Sequence, residues 1–398
     1  MLYPLSPEFK KFVTDHLSDD TDKLLLNARH YPGVDMPFAV TQILARRQVR
    51  EKLPEWFAQA DIVFPSRLAA EQCSSETTAR YKQNLIKGKQ VCDLTGGLGV
   101  DAYFFSRTAE KVIYIERLEE YCRAAEENFR RLGATNIRVL QGDAREQIGS
   151  LQADTFYIDP ARRSGNNKRL FALSECEPDI LSLKDILLQQ AKRLIVKISP
   201  MADLTETLRL LPETTEIHIL SIRNECKEIL FVLEPFPRNY PAAQPRIKTV
   251  NFPGKGDKQE FEFLPSEEKE AGLLLSDTVE KYLYEPNAAL LKSGAFKLTA
   301  QRYGLKKLHL HSHLYTSEIW VREFPGRYFE VVRTFGFSGK QLKSMHIPYP
   351  QANITIRNFP MTVAQLRKNS GITEGGNIYL FATTIGNARR IWIECRRI

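Results

Sequence analysis

Val91-Cys92-Asp93-Leu94-Thr95-Gly96-Gly97-Leu98-Gly99-Val100-Asp101-Ala102 is the stretch on which the fold turns. A short apolar run feeds a glycine-rich bend and then a helix-forming segment. Glycines after a buried strand let the backbone turn tightly and approach a ligand, while the following helix aims its N-terminal amides at that ligand. Outward from this point, short apolar runs alternate with amphipathic stretches: QVCDL, KVIYIE, IRVLQ, DTFYID, RLIVKIS, EIHILSI and EILFVL. Strand, helix and strand in repetition imply a parallel sheet with helices on both faces. The last two runs are separated only by RNECK, too short for a crossover helix, so they should pair antiparallel at one edge. The expected fold is α/β, a doubly wound, seven-stranded Rossmann-like sheet spanning residues 86–235.

The flanks read differently. Residues 1–85 show helical spacings, such as Phe9, Phe12, Val13 and Leu17, broken by Pro32, Pro37, Pro54 and Pro65, and predict a helical N-terminal domain. Residues 236–275 are Pro-rich and polar, a linker with edge strands. Beyond them a C-terminal α+β portion is expected, divided at 276–320 and 321–398, with TVEKYLYEPNAALLKS and KLTAQRYG as short helices and LHLHSHLY, YFEVVRTF, ITIRN and IYLFATT as strands.

At 43% hydrophobic and 26% charged, the 398-residue chain has ordinary globular composition, which excludes a disordered or fibrous protein. Its net charge of +8 is unevenly placed: residues 276–398 hold 18 Lys+Arg against 8 Asp+Glu, and the remainder 38 against 40. A basic module that includes Arg357, Arg367, Lys368, Arg389 and Arg390, beside a near-neutral body, suggests an anionic partner. RNA fits better than a membrane, because no basic amphipathic helix stands out. No apolar run reaches the roughly 18 residues that span a bilayer, and MLYPLSPEFK lacks a basic end followed by an apolar stretch, so a cytoplasmic protein is expected. The six cysteines are scattered without a C-x-x-C pair, and read as reduced, mostly buried thiols.

Carboxylates at the strand ends carry the chemistry. Glu116 ends the second strand, where it can accept both ribose hydroxyls of an adenosine ligand; Asp143, in Gly142-Asp143-Ala144, would lie beside the adenine. Asp93 faces the bend and suits a ligand with a charged amino group better than one with a pyrophosphate. Asp159-Pro160-Ala161-Arg162 ends the fourth strand, with a carboxylate and a proline-fixed carbonyl at the sheet edge. Gly97-Leu98-Gly99-Val100-Asp101-Ala102 also fits the dinucleotide fingerprint, so a nicotinamide-dependent oxidoreductase stays open as a rival, as does a non-enzymatic RNA-binding protein with a vestigial cofactor fold.

DLTGGLGVDA, IER, GDA and DPAR, at these intervals, resemble the class I S-adenosylmethionine-dependent methyltransferases. DLTGGLGVDA followed by IER is similar to the small-subunit rRNA guanine-N2 methyltransferases, and Asp159-Pro160 resembles the D/N-P-P-Y/F element of enzymes that methylate exocyclic amines. The C-terminal RNFPMTVAQLRKNSGITEGGNIYLFATT resembles a THUMP-like module, preceded near EPNAALLKSGAFK by a ferredoxin-like piece. The resemblance implies S-adenosylmethionine held by Asp93, Thr95, Gly97, Gly99, Asp101, Glu116, Arg117, Asp143 and Ala144, with Asp159, Pro160 and Arg162 at the transfer site. It implies an RNA base nitrogen as acceptor, with Arg163, Lys168, Arg169, Ser199 and Pro200 lining its entry and rRNA or tRNA as partner. Thr95 stands where the family has glycine, and Ala161-Arg162 replaces Pro-aromatic. DPAR also resembles the uracil-C5 enzymes, but Ser199 follows the fifth strand where those have a cysteine, and serine is a poor nucleophile without an activating base. Direct transfer to nitrogen is therefore the expectation.

His309, His311 and His313 lie at period two, hence on one face of an expected strand. No carboxylate or cysteine is near in sequence to complete a metal shell, so no metal is expected and the three rings should face solvent or RNA. Gln72-Cys73-Ser74-Ser75-Glu76 reads first as a helix cap through Ser75. Because it precedes the cofactor strand, it could also close over the methionine end.

Overall fold

The computed structural model describes residues 5–162, 173, 176–235, 244–254 and 256–398. Contacts divide the chain into two compact units, Met1–Thr215 with Leu230–Ala242, and Glu216–Ile229 with Ala243–Ile398.

The first unit opens with helices Pro7–Asp15, Thr21–Leu26, Met36–Val49, Pro54–Ala58, Arg67–Gln72 and Glu76–Lys82. Several are started by side chains that satisfy otherwise orphaned amides: Ser6, Asp20, Asp35, Ser66 and Ser75 each accept from a backbone N–H in the first turn. Phe9, Phe12, Val13, Leu24, Met36, Ala39, Val40 and Ile43 form their core. Farther along, the Asn128 amide donates to the Val63 carbonyl and accepts from the Val63 N–H, both at 2.8 Å, fixing the N-terminal segment on the helix Glu119–Arg131.

Five parallel strands follow: β1 (Gln90–Asp93), β2 (Lys111–Glu116), β3 (Ile137–Gln141), β4 (Thr155–Ile158) and β5 (Arg193–Ile198). β1 lies between β2 and β4, β3 flanks β2, and β5 flanks β4. β1, β2 and β4 are buried almost throughout, as strands covered on both faces must be, and this places their polar residues at the C-terminal ends. The expected hairpin, β6 (Thr214–Ile222) and β7 (Glu225–Leu233), turns at Arg223-Asn224, both with positive φ, the geometry of a two-residue hairpin turn. β7 is the strand next to β5, so the seven run β3-β2-β1-β4-β5-β7-β6. Most of this hairpin counts with the second unit, where β6 is no edge: β8 (Arg246–Phe252) pairs parallel with it, and β9 (Gln259–Phe263) pairs antiparallel with β8.

The second unit also holds a sheet of β10 (Tyr282–Pro286), β11 (Lys306–Lys307), β12 (Tyr315–Ser317), β13 (Gly326–Gly336), β14 (Asn353–Arg357), β15 (Ile378–Ile385) and β16 (Arg389–Arg397), in the order β11-β12-β10-β13-β16-β15-β14. Two expectations fail here. Tyr282–Pro286 is strand rather than helix, and the helix begins only at Ala288, capped by the Asn287 side chain. In LHLHSHLY only Tyr315 belongs to a strand; residues 309–313 form a turn, with His313 at φ +48°. The histidines therefore share no strand face.

Arg357 also has a different task from the one its charge suggested. Its Nη2 lies 2.7 Å from Oε1 of Glu285, a carboxylate with no exposure, whose Oε2 accepts from Arg327. It is a structural ion pair rather than a free surface cation.

Candidate functional site

The bend after β1 is shaped by close approach. A Cβ at Gly96 would fall 2.2 Å from the Tyr114 ring, and at Gly99 (φ +87°) 2.7 Å from Phe129, so neither position tolerates a side chain. Thr95, the departure from the family pattern, has a task of its own: its hydroxyl accepts from the Asp159 N–H at 2.7 Å and thereby joins the bend to the end of β4.

Around this bend lies a crevice of about 570 Å³. Its walls include Thr95, Gly97 and Gly99 from the bend, Asp101 from the helix that follows it, Glu116 at the end of β2 with Arg117 beyond, Asp143 and Ala144 after β3, and Asp159 after β4. Nine predicted residues thus meet at one place. Asp93 does not line it: the side chain is buried behind the bend, with Oδ1 accepting from the Thr95 N–H at 3.0 Å. Burial, reinforced by the nearby charge of Asp101, pushes the Asp93 carboxyl well above the usual carboxylate range.

At the β2–β3 side, Glu116 accepts from the N–H of Gly97 at 3.0 Å and of Leu118 at 2.9 Å. Asp143 caps the helix Ala144–Gln147 and is gripped by Arg145, with Nη2 donating to Oδ2 at 2.6 Å. That hydrogen bond holds the Asp143 carboxyl below its ordinary range. Glu177 stands over this side, 3.1 Å from Arg117 and 3.4 Å from Arg145.

At the β4–β5 side, Lys197 Nζ donates to Asp159 Oδ2 at 2.6 Å. Beneath, Asp101 is clasped on both oxygens: Lys82 Nζ lies 2.8 Å from Oδ1, while Ser74 Oγ and Tyr157 OH donate to Oδ2 at 2.7 and 2.9 Å. Lys82 has no exposed surface and also donates to Ser74 Oγ at 2.6 Å. Burial raises the Asp101 pKa, but Lys82 and Lys197 outweigh it and hold the carboxyl below the usual value.

Lys82, Lys197 and Tyr157 are the residues that sequence reading missed, whereas Gln72, Cys73 and Ser74, from the segment expected either to cap a helix or to close over the methionine end, do line the crevice. One signal was present: Glu76, Thr78, Ala79 and Lys82 share the buried face of their helix, and a lysine in that register requires a buried partner. The preference for a charged amino group over a pyrophosphate, expected from Asp93, does not rest on an acidic crevice, because Asp101, Asp143, Asp159 and Glu177 each face a cation. What disfavours a pyrophosphate is the Gly97 amide, already engaged by Glu116.

Pro160 is buried at the end of β4, and Ser199 and Pro200 lie half-buried beyond β5, outside the crevice walls, with Ser199 Oγ accepting from Met201 N–H at 3.2 Å. The backbone of Arg162 pairs with Cys176, and its side chain, like Arg163, Lys168 and Arg169, lies outside the described residues. Of the histidines, His313 stacks on Phe296 at 3.7 Å and is pushed down to about 4 by burial, while His309 Nδ1 lies 3.1 Å from Asn358 Nδ2. Among the described residues no helix is long and apolar enough to cross a membrane.

Residues 282–325 match the family model of a ferredoxin-like domain, and residues 326–397 that of a THUMP domain-like module. The crystal structure titled "putative methyltransferase from Porphyromonas gingivalis W83" superposes with a TM-score of 0.88 at 35% identity, covering 100% of both chains. A Clostridium acetobutylicum protein, named as an uncharacterized RNA methyltransferase, is 37% identical over 79 residues, which is 19% of this chain and 17% of that relative's length. Strand order and the crevice at the strand ends are those of the class I S-adenosylmethionine-dependent methyltransferase fold.

Proposed function

This chain belongs to the family of the Porphyromonas gingivalis methyltransferase, and from that premise we propose that it transfers the methyl group of S-adenosylmethionine to an exocyclic base nitrogen of RNA. Glu116 holds the ribose hydroxyls with the lone pairs its amide contacts leave free, and Asp143 lies beside the adenine. The observation that carries the acceptor is the Asp159–Lys197 pair at the crevice edge, 2.6 Å apart and locked to the bend through Thr95. Bound to an ammonium, Asp159 presents an acceptor and no donor. It therefore suits an acceptor group that brings N–H bonds of its own.

The sulfonium is an activated donor, so the protein's work is alignment and exclusion of water. Asp159 and the Pro160 carbonyl accept the amine hydrogens and turn the nitrogen lone pair out of conjugation toward the methyl carbon. The new C–N bond forms as the C–S bond breaks, sulfur leaves as a neutral thioether, and the nitrogen's surplus proton passes to Asp159 and then to solvent. A stacked base cannot reach this pocket, so the target is flipped out or lies in a loop. Support for RNA comes from the basic excess of residues 276–398 and from the kind of protein the Clostridium acetobutylicum relative is named as.

Radiolabelled methyl incorporation into total RNA from cells lacking the protein tests this. Asp159→Ala should cut turnover by about 10²- to 10⁴-fold with cofactor affinity little changed, whereas Glu116→Ala should weaken the cofactor by about tenfold or more. Normal turnover in Asp159→Ala would remove the proposed acceptor geometry.

A further inference from the structure

Of the three tryptophans, Trp56 and Trp392 are 0% and 1% exposed, whereas Trp320 is 39% exposed and its neighbour Ile319 77%. The loop that carries them, residues 318–325, joins β12 to β13. Both strands pair antiparallel with β10, Ser317 opposite Tyr282 and Gly326 opposite Pro286, so the loop must run back along β10. Tyr284 of β10, itself without exposure, pins it there: its hydroxyl accepts from the Val321 N–H at 2.8 Å and donates to the Ile319 carbonyl at 3.3 Å. Phe324 turns inward onto Tyr284, and Trp320 is left facing outward between two fixed backbone points.

Trp320 does not stand alone. Its ring lies 6.1 Å from that of Tyr328, and the guanidinium of Arg322 sits 5.3 Å over it. Tyr282, half-buried like Tyr328, carries the ammonium of Lys281 at 5.4 Å from its ring. Tyr282 and Tyr328 share a face of the sheet, being two residues apart in cross-strand register. Aromatic faces paired with cations suit unpaired bases and their phosphates, since every base offers a π-face. This surface lies in the part of the chain that holds 18 Lys+Arg against 8 Asp+Glu. Glu318, Glu323 and Glu330 are exposed nearby, so local charge is balanced and stacking, not charge, has to supply the affinity here.

We propose that Trp320, with Tyr328 beside it and Arg322 over it, is a stacking platform for an unpaired base of the RNA. This rests on the RNA reading above and is independent of which atom is methylated.

The test titrates the full chain with a short, unstructured, labelled oligoadenylate, reading tryptophan emission and the anisotropy of the RNA together. With Trp56 and Trp392 buried, saturable quenching should come from Trp320 and vanish in Trp320→Ala. That variant should bind about five- to a hundredfold more weakly, the effect of removing one aromatic partner of a base. Trp320→Phe, which keeps a ring, should recover most of the affinity. The slope of log affinity against log salt should stay the same in both, because a stacking ring releases no counterions. Equal binding by wild type and Trp320→Ala, or binding that leaves the emission unchanged, would overturn the platform. So would emission that shifts with protein concentration in the absence of RNA, which would give this face to a second copy of the chain. Wild-type protein that binds no oligoadenylate would likewise overturn it, while methyl incorporation into total RNA, measured separately, shows whether the RNA reading itself fails.

Discussion

Each unit of this chain buries a carboxylate among cations, and the two cases do different work. In the first, Asp101 is held by Lys82 and opens on the crevice; in the second, Glu285 is held by Arg327 and Arg357 and has no exposed surface. Bonding is similar. What separates them is the cavity: a buried ion pair at a cavity wall can orient a ligand, while one sealed on all sides only joins its elements, here the ferredoxin-like and THUMP-like stretches. A buried pair is weak evidence of function until its surroundings are known.

Breaking each pair is the most direct probe of that difference. Lys82→Met leaves Asp101 buried beside hydroxyl donors alone among its close partners, and should cost about 3–5 kcal/mol of stability together with donor affinity. Arg357→Met leaves Glu285 with Arg327 and should cost less, about 1–3 kcal/mol, without changing the affinity for S-adenosylmethionine. Thermal denaturation with and without ligand reads both; loss of donor binding in Arg357→Met would erase the contrast.

The same contrast marks how far the sequence could be read. Strand ends, bend and crevice were legible because each motif is local: DLTGGLG carries its own turn and helix start, and alternation of apolar runs places Glu116, Asp143 and Asp159 at one sheet edge. The identity of the ion partners was not: a helix register can say that Lys82 needs a buried partner, but Lys82 and Asp101, or Asp159 and Lys197, meet only through tertiary packing. Asp93 was misplaced for a related reason: a strand-end carboxylate can face the ligand or turn back to hold its own bend, as Asp93 does by accepting from the Thr95 N–H. In the second unit, period two in LHLHSHLY imitated a strand, whereas Ser312 donating to the Thr384 carbonyl and the stacking of His313 on Phe296 settle a turn.

His313 gives the second unit a pH signature that the crevice pairs do not share. Burial holds its pKa near 4 against 6.5 for a free ring, so the folded ring stays neutral while the unfolded one takes up a proton between those values. Stability should therefore fall as pH is lowered from about 6.5 toward 4 and level off below. His313→Gln should flatten that part of the urea-denaturation profile; an unchanged slope would mean that His313 is not its source.

The smallest effect sharpens the comparison most, because it separates cations that build from cations that bind. Lys368, Arg389 and Arg390 are exposed, unlike Arg357 with its buried partner. Each phosphate contact to single-stranded RNA contributes about 0.7 to the slope of log affinity against log salt. Neutralising the three together should then flatten that slope by up to about 2, leave the melting temperature near wild type, and leave donor binding intact. Arg357→Met should do the reverse, lowering the melting temperature while keeping the slope. If both variants change the slope alike, the division between scaffold and surface charge in this unit is wrong, and RNA contacts the Glu285 cluster itself.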